Sequence, residues 1–195
     1  QQHAPEIGEI LTTNGANVHA TNTSNDAPLS PARTNGGEVQ DWVLGSSVIS
    51  GDDGNGNTPL HYAAEWKLDD AVQYLIHKGA DVNKKNANGE TPLFNAVKAD
   101  SPTTVKLLVS KGANPDTRDL LGNTPLHYAV RWNALHAATQ LLTDGCAIDS
   151  KNASGKTALS DAARSGAKAM VTLLLSKGAF INASDATGKT VLTDA

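Results

Sequence analysis

The sequence has 195 residues, 39% of them hydrophobic and 4% aromatic, so it can bury a core built mainly from aliphatic side chains. Its 20 acidic and 16 basic residues give a net charge of −4. This balance argues against nucleic acid or an anionic membrane as partner, because both require a concentrated basic field. A single cysteine, Cys146, excludes an intramolecular disulfide and a multi-cysteine zinc site. No apolar run approaches the roughly 20 residues that span a bilayer, so we expect no membrane insertion.

A motif that begins with threonine recurs every 33 residues. Its copies are Thr58-Pro59-Leu60-His61, Thr91-Pro92-Leu93-Phe94, Thr124-Pro125-Leu126-His127, Thr157-Ala158-Leu159-Ser160 and Thr190-Val191-Leu192-Thr193. A second motif, which begins with glycine, follows in the same register at Gly79, Gly112, Gly145 and Gly178. Two independent landmarks that share one period indicate a repeat protein.

The first part of the chain carries an irregular form of this pattern. Residues 6–22 match the second half of a repeat. A degenerate repeat follows, in which Ala27-Pro28-Leu29 stands 31 residues before the Thr58 motif. Trp42 aligns with Leu75 of the next repeat, and we therefore predict that it is a core residue.

Each regular repeat predicts two helices and a loop. Threonine before proline is typical of a helix N-cap followed by the first helical residue, which predicts helices beginning at residues 59, 92 and 125. Ala71, Val72, Leu75 and Ile76 have helical spacing and predict a second helix. Gly79 is typical of the left-handed residue just past a helix. The polar stretch 80–90 that follows predicts a projecting, hairpin-like loop.

On these residues the chain resembles the ankyrin repeat family, whose 33-residue unit carries the T-P-L-H element and the G-A-D-V-N element seen at residues 79–83. The resemblance implies an all-α solenoid of stacked helix-turn-helix units with projecting hairpin-like loops, curved so that one face is concave. It divides the chain into a half repeat plus a degenerate repeat (1–52), four ankyrin repeats (53–85, 86–118, 119–151 and 152–184) and a partial C-terminal repeat or cap (185–195).

Metal binding by the histidines is disfavoured by their spacing. His61 and His127 are two repeats apart, and packed helices are separated by roughly 8–10 Å, which places these rings about 20 Å apart. The resemblance implies instead that each ring is a structural hydrogen-bonding group that contacts a neighbouring loop.

Two further patterns have structural explanations. Residues 53–57 resemble the opening of a calcium loop, but Thr58 and Ala64 occupy the positions where such a loop needs glycine and glutamate. Cys146 aligns with Ala80, so we predict that it replaces a small buried alanine rather than acting as a reactive thiol.

The resemblance implies that a partner binds the concave side, formed by loop tips and the exposed face of each first helix. Trp66 and Trp132 are two periods apart and are expected to project from one ridge, where aromatic side chains favour binding. The alternative is that each tryptophan covers the second helix of its own repeat. Leu120 and Leu121 lie at a predicted loop tip, where an apolar pair needs a cover, either a partner or the adjacent loop. The predicted partner-binding residues are Glu65, Trp66, Lys98, Leu120, Leu121, Arg131, Trp132 and Arg164.

The sequence therefore predicts a protein-interaction scaffold that holds a protein or peptide, with no cofactor and no catalytic site. We expect a soluble monomer, and cytoplasmic, secreted and periplasmic locations all stay open. The alternative function is a targeting or regulatory segment of a larger enzyme, effector or channel whose chemistry lies outside these residues. The full-length reading frame distinguishes the two.

Overall fold

A computed structural model describes residues 52–190, and this range contains eight helices arranged as four consecutive pairs. We number them α1 (Pro59–Glu65), α2 (Asp69–His77), α3 (Pro92–Lys98), α4 (Pro102–Ser110), α5 (Pro125–Arg131), α6 (Leu135–Thr143), α7 (Ala158–Arg164) and α8 (Lys168–Ser176). The predictions for residues 6–22, the degenerate repeat, Trp42 and residues 191–195 lie outside the described residues. The all-α repeat architecture is confirmed.

All three predicted helix starts are confirmed. α1, α3 and α5 begin at Pro59, Pro92 and Pro125, each preceded by an extended threonine as the N-cap residue. Proline fits this position because its fixed φ is helical and its missing N–H would have no helical acceptor. α7 begins at Ala158, where Thr157 accepts the backbone N–H of Ser160.

The helices are too short to be stable alone, so they depend on packing between repeats. The first helices have seven residues and the second helices nine, whereas isolated helices below about 12 residues are marginal in water. Each first helix packs on the first helix of the next repeat, and each second helix packs on the next second helix. Both rows share one apolar core.

Equivalent leucines form the centre of this core in every described repeat. Those of the first helices are Leu60, Leu93, Leu126 and Leu159, and those of the second helices are Leu75, Leu108, Leu141 and Leu174. All eight are at most 2% exposed. Burial of a leucine side chain contributes roughly 1.5–3 kcal/mol, so this ladder is the main source of stability between repeats.

A left-handed residue turns the chain between the two helices of each repeat. The residues are Lys67, Asp100, Asn133 and Gly166, with φ of 59°, 50°, 51° and 68°. Asp100 compensates for this conformation by linking repeats, because its Oδ1 accepts the backbone N–H of Ala137 at 2.8 Å. This N–H lies in the first turn of α6, where it has no acceptor within the helix.

The loop before each first helix is a tight turn held by its first side chain. The Oδ1 atom of that Asp or Asn accepts the backbone N–H groups two and four residues ahead, which fixes the loop without strand pairing. The side chains that do this are Asp53, Asn86, Asp119, Asn152 and Asp185. Within residues 52–190 strand-like pairing is limited to one isolated bridge between Ser184 and Thr190.

Successive loops are joined through their backbones. Ala87, Leu120 and Ala153 each donate an N–H to the carbonyl oxygen of the preceding loop, at 2.8, 3.0 and 3.1 Å. Lysine and arginine side chains add a second set of links, since Lys85 donates to the carbonyl of Arg118 and Lys151 to that of Ser184. The loops thus form a continuous stack beside the first helices. In the described range no helix has the length and apolar character needed to cross a membrane.

This close approach of the loops predicts a large effect of a loop glycine. Gly122 has a φ of +74°, and a Cβ atom there would lie 2.7 Å from the backbone nitrogen of Ala153. Gly122→Ala should therefore lower the free energy of unfolding by more than the roughly 1–2 kcal/mol of left-handed strain alone. Equilibrium urea unfolding measures this loss.

Gly79→Ala is the matched control. Gly79 has a φ of +94°, and a Cβ atom added there would meet nothing within 4 Å. This variant should show the strain without the clash. Equal losses in the two variants would contradict the importance of loop contact.

Candidate interaction surface

The loop tip of repeat 119–151 exposes two leucines. Leu120 and Leu121 are 75% and 64% exposed. The Asp119 carboxylate fixes this loop by accepting the N–H groups of Leu121 and Asn123, both at 2.8 Å. Both neighbouring loops hydrogen-bond to the leucine backbones rather than cover the side chains. The adjacent loops therefore leave both leucines open to solvent.

Trp66 and Trp132 occupy the same repeat position but differ in exposure. They are the C-cap residues of α1 and α5, immediately before the left-handed turn residue. Trp66 is half-buried, packs against the core and lies with its ring 5.6 Å from that of Tyr62. Trp132 is 56% exposed. Trp66 is thus partly covered, whereas Trp132 exposes most of its surface to solvent.

Each first helix ends in a charged residue that we predicted to bind a partner, and the four residues differ in their surroundings. Glu65 is exposed and accepts a hydrogen bond from Asn95 Nδ2 at 3.4 Å. Lys98 forms an ion pair with Glu90 at 2.8 Å, and Arg164 one with Asp161 at 3.0 Å.

Arg131 is the exception among the cations. Its guanidinium lies over the ring of Tyr128, with Cζ 5.4 Å from the ring centroid. Of the three cations, Arg131 is the one for which residues 52–190 supply no ion-pair carboxylate.

A buried polar cluster lies beneath this surface, and sequence analysis missed it. Glu90 and Tyr128 are each 6% exposed, and Asp119 is 9% exposed. The Tyr128 hydroxyl lies 2.6 Å from Glu90 Oε1 and 3.0 Å from Asp119 Oδ2. It carries one hydrogen and donates it to the nearer carboxylate, Glu90. Phe94 packs edge-on against the Tyr128 ring at 4.7 Å.

Lys98 offsets one of the two negative charges of this cluster through its ion pair with Glu90. Burial alone would raise the pKa of Glu90, but hydrogen bonds from Lys98 and Tyr128 outweigh it and hold that pKa below its usual value. Burial and the hydrogen bond to Glu90 raise the pKa of the Tyr128 phenol. No local pattern could reveal this arrangement, because Glu90 and Tyr128 are 38 residues apart. The available hint was that Tyr128 repeats the position of Tyr62.

The predicted structural role of the histidines is confirmed. His61 Nδ1 accepts the backbone N–H of Thr58 at 3.0 Å, so Nε2 carries the proton and donates to the carbonyl of Glu90 at 3.1 Å. His127 makes the same contacts with Thr124 and the carbonyl of Lys156. Each ring joins the start of its helix to the next loop.

Phe94 breaks this pattern in repeat 86–118. It has no ring nitrogen for the N-cap threonine, and the Thr91 hydroxyl is buried without a hydrogen-bond partner in the described part of the chain. Phe94 instead is fully buried and supports Tyr128. This repeat has replaced a polar cap by aromatic packing.

The remaining chemical candidates are accounted for by the fold. The Asp53 carboxylate, which opens the calcium-like stretch, accepts the N–H groups of Asn55 and Asn57. Cys146 is 8% exposed, like Ala80, and burial and nearby carboxylates raise the pKa of its thiol to about 12. Over residues 52–190 no group of three His, Cys, Asp or Glu side chains is placed to hold a metal ion.

Comparison with known proteins agrees with the repeat architecture. The family model described as ankyrin repeats (3 copies) matches residues 1–86, 71–152 and 133–195. Two curated proteins from Variola virus, both named ankyrin repeat protein OPG189, are 36% identical to this chain over 84 residues. That stretch is 42% of this chain and spans 15% of the length of these relatives.

The histidine contacts predict a loss of stability in mild acid. Burial lowers the pKa of His61 and His127 below the ordinary 6.5. The folded chain therefore binds fewer protons than the unfolded chain once the pH falls below about 6.5. Their stabilising contribution is complete above that pH and is lost as the pH falls toward the folded pKa. Each histidine should contribute a slope of up to about 1.4 kcal/mol per pH unit, measured by urea unfolding between pH 8 and 5.

Phenylalanine is the control substitution, because Phe94 occupies the equivalent position naturally. The double variant His61→Phe, His127→Phe should flatten this pH dependence whatever its absolute stability. A slope between pH 6.5 and 5 equal to that of the natural chain would contradict the assignment.

The buried cluster predicts a cost for removing one hydroxyl. Tyr128→Phe removes the hydrogen bond that the buried Glu90 carboxylate accepts from the hydroxyl, and we expect a loss of about 1–3 kcal/mol in unfolding free energy. Tyr62→Phe is the comparison, because the Tyr62 hydroxyl donates to the Asp53 carboxylate alone and the Tyr62 side chain is itself only partly buried. An equal or larger loss in Tyr62→Phe would argue that the cluster has no special importance.

Proposed function

Since the chain belongs to the ankyrin repeat family, we propose that it is a protein-interaction scaffold that holds a protein or peptide on the concave side of its repeats. Ankyrin repeats generally mediate protein–protein interaction. The proposed site combines the loop tips with the outer face of the first helices. It includes Glu65, Trp66, Lys98, Leu120, Leu121, Arg131, Trp132 and Arg164, and it needs no cofactor or catalytic group.

The proposal rests mainly on large apolar side chains that are exposed to solvent although hydrogen bonds hold their backbone in place. Leu120, Leu121 and Trp132 are each more than half exposed, although their backbones are held by the loop stack and by helix α5. Exposed apolar side chains on ordered backbone lose little conformational entropy when a partner covers them. Tryptophan is also among the residues that contribute most to binding.

The backbone supports this function because hydrogen bonds join the loops and helices of successive repeats. The backbone links between loops and the His61 and His127 contacts hold the surface in one arrangement before a partner arrives. A surface that is ordered in advance binds at a lower entropic cost. Specificity then comes from the residues that differ between repeats.

The proposal predicts that Trp132 and Trp66 differ in the consequences of truncation. Trp132→Ala should weaken partner binding at least roughly tenfold while changing unfolding free energy by no more than about 0.5 kcal/mol. Trp66→Ala should destabilise the chain by more, because this ring packs on Tyr62 and the core. Thermal and urea unfolding give the stability changes.

Binding is measured by affinity capture from a native extract, with quantitative mass spectrometry of the proteins retained. Lys106, an exposed cation on the second helix α4, lies outside the proposed site and supplies the control. The natural chain should retain proteins that Trp132→Ala loses and Lys106→Ala keeps. Equal retention by all three chains would move the site away from Trp132. No retention by the natural chain would count against the scaffold function itself.

A further inference from the structure

We infer that repeat 119–151 binds an extended, acidic peptide segment, with its apolar side chains on Leu120, Leu121 and Trp132 and its carboxylate on Arg131. This inference rests on the proposed scaffold function. It narrows that function to one repeat and one partner chemistry.

Repeat 119–151 exposes large apolar side chains although a described repeat lies on each side of it. In the described range the large apolar side chains that are strongly exposed are Leu120, Leu121, Trp132, Leu175, Phe180 and Ile181. The last three belong to repeat 152–184, and no described repeat follows to pack on them. Val82, which precedes a full repeat, occupies the same position as Ile181 and is packed against the core. Leu120, Leu121 and Trp132 are exposed although a described repeat follows their own.

The two leucines are specific to this repeat. The residues equivalent to Leu120 are glycine or alanine, and those equivalent to Leu121 are Asn, Ser and Thr. The loop is held by the Asp119 carboxylate and by backbone hydrogen bonds, neither of which requires leucine at the tip. The leucines thus add apolar surface that the fold does not use.

The leucines, Arg131 and Trp132 are connected along one face of the repeat. The loop that carries the leucines begins at Asp119, whose carboxylate contacts the Tyr128 hydroxyl at 3.0 Å. The guanidinium of Arg131 lies over the Tyr128 ring, and Trp132 follows Arg131 at the end of α5. Tyr128 thus contacts both the residue that fixes the leucine loop and Arg131 at the far end of α5. The seven residues of α5 make it about 10 Å long, so a peptide that reaches from Trp132 to the loop before α5 must span at least roughly three extended residues.

We expect an acidic residue in the peptide because Arg131 has no ion-pair carboxylate within residues 52–190. Its equivalents Lys98 and Arg164 already have the carboxylates of Glu90 and Asp161, whereas Arg131 has an aromatic ring beneath it. No carboxylate of residues 52–190 lies within ion-pair distance of Arg131, so its guanidinium is available to donate two parallel hydrogen bonds to a partner's carboxylate. A peptide with Asp or Glu beside apolar residues would pair with Arg131 and cover the exposed apolar side chains at the same time.

The test uses a phage library of random peptides of roughly twelve residues, which span about 40 Å when extended. The natural chain should enrich peptides in which Asp or Glu lies within a few residues of an apolar side chain. Synthetic versions of the enriched peptide are then measured by fluorescence anisotropy. Replacing its acidic residue by the amide should weaken binding roughly tenfold or more.

Variants of the chain assign the contact. Arg131→Ala should weaken binding of the acidic peptide by a similar factor and should remove most of the difference between the acidic and amide peptides. Lys106→Ala is the control, because Lys106 is an exposed cation on the second helix α4 and lies outside the proposed site, and this variant should bind as the natural chain does. Leu121→Ser should also weaken binding. Circular dichroism melting verifies that each variant is folded.

The other outcomes overturn the inference in distinguishable ways. Enriched peptides without acidic residues, or peptides that bind Arg131→Ala as tightly as the natural chain, would overturn this inference and leave the scaffold function standing. Failure to enrich any peptide, in a library that succeeds with a control protein, would count against both. A dimer at assay concentration that dissociates on Leu121→Ser would assign the surface to a second copy of the chain.

Discussion

Helices of seven and nine residues cannot bury their own apolar faces, and this constraint determines how the molecule is built. Each repeat becomes stable when a neighbour covers the leucine ladder, with Leu60 and Leu75 continued by equivalent residues in every described repeat. Contacts therefore run from one repeat to the next rather than across a single globular core. Such a molecule can change its surface residues repeat by repeat without changing its packing.

Several polar contacts follow the same rule and join neighbouring repeats. The His61 ring links the start of α1 to the loop at Glu90, and the Asp100 carboxylate links its turn to α6. Where one link is absent another type of contact takes its place: Phe94 cannot cap Thr91, but it packs against Tyr128, whose hydroxyl joins two loops through Glu90 and Asp119. Repeat 86–118 and its successor are thus joined by a buried ionic and aromatic cluster.

Backbone contacts hold the loops, and the side chains at the loop tips are therefore available for the proposed recognition. The first residue of each loop and the preceding loop hold the loop backbone. The loop conformation therefore does not depend on the side chains at its tip. Leu120 and Leu121 use that freedom, and Arg131 and Trp132 extend the same surface along α5. The surface is proposed to bind because it is apolar, ordered in advance and incompletely neutralised.

The sequence by itself determined the repeat period, the starts of the helices at Pro59, Pro92 and Pro125 and the glycine after each second helix, because each depends on local backbone chemistry or on register. The structural role of His61 and His127 was predicted from the resemblance to ankyrin repeats. The sequence also identified Trp66 and Trp132 as equivalent positions. Only the tertiary structure decided that Trp66 is half-buried and Trp132 exposed, since exposure depends on neighbouring side chains such as Tyr62. The Glu90, Tyr128 and Asp119 cluster likewise required three dimensions, because residues 38 positions apart meet only when one repeat stacks on the next.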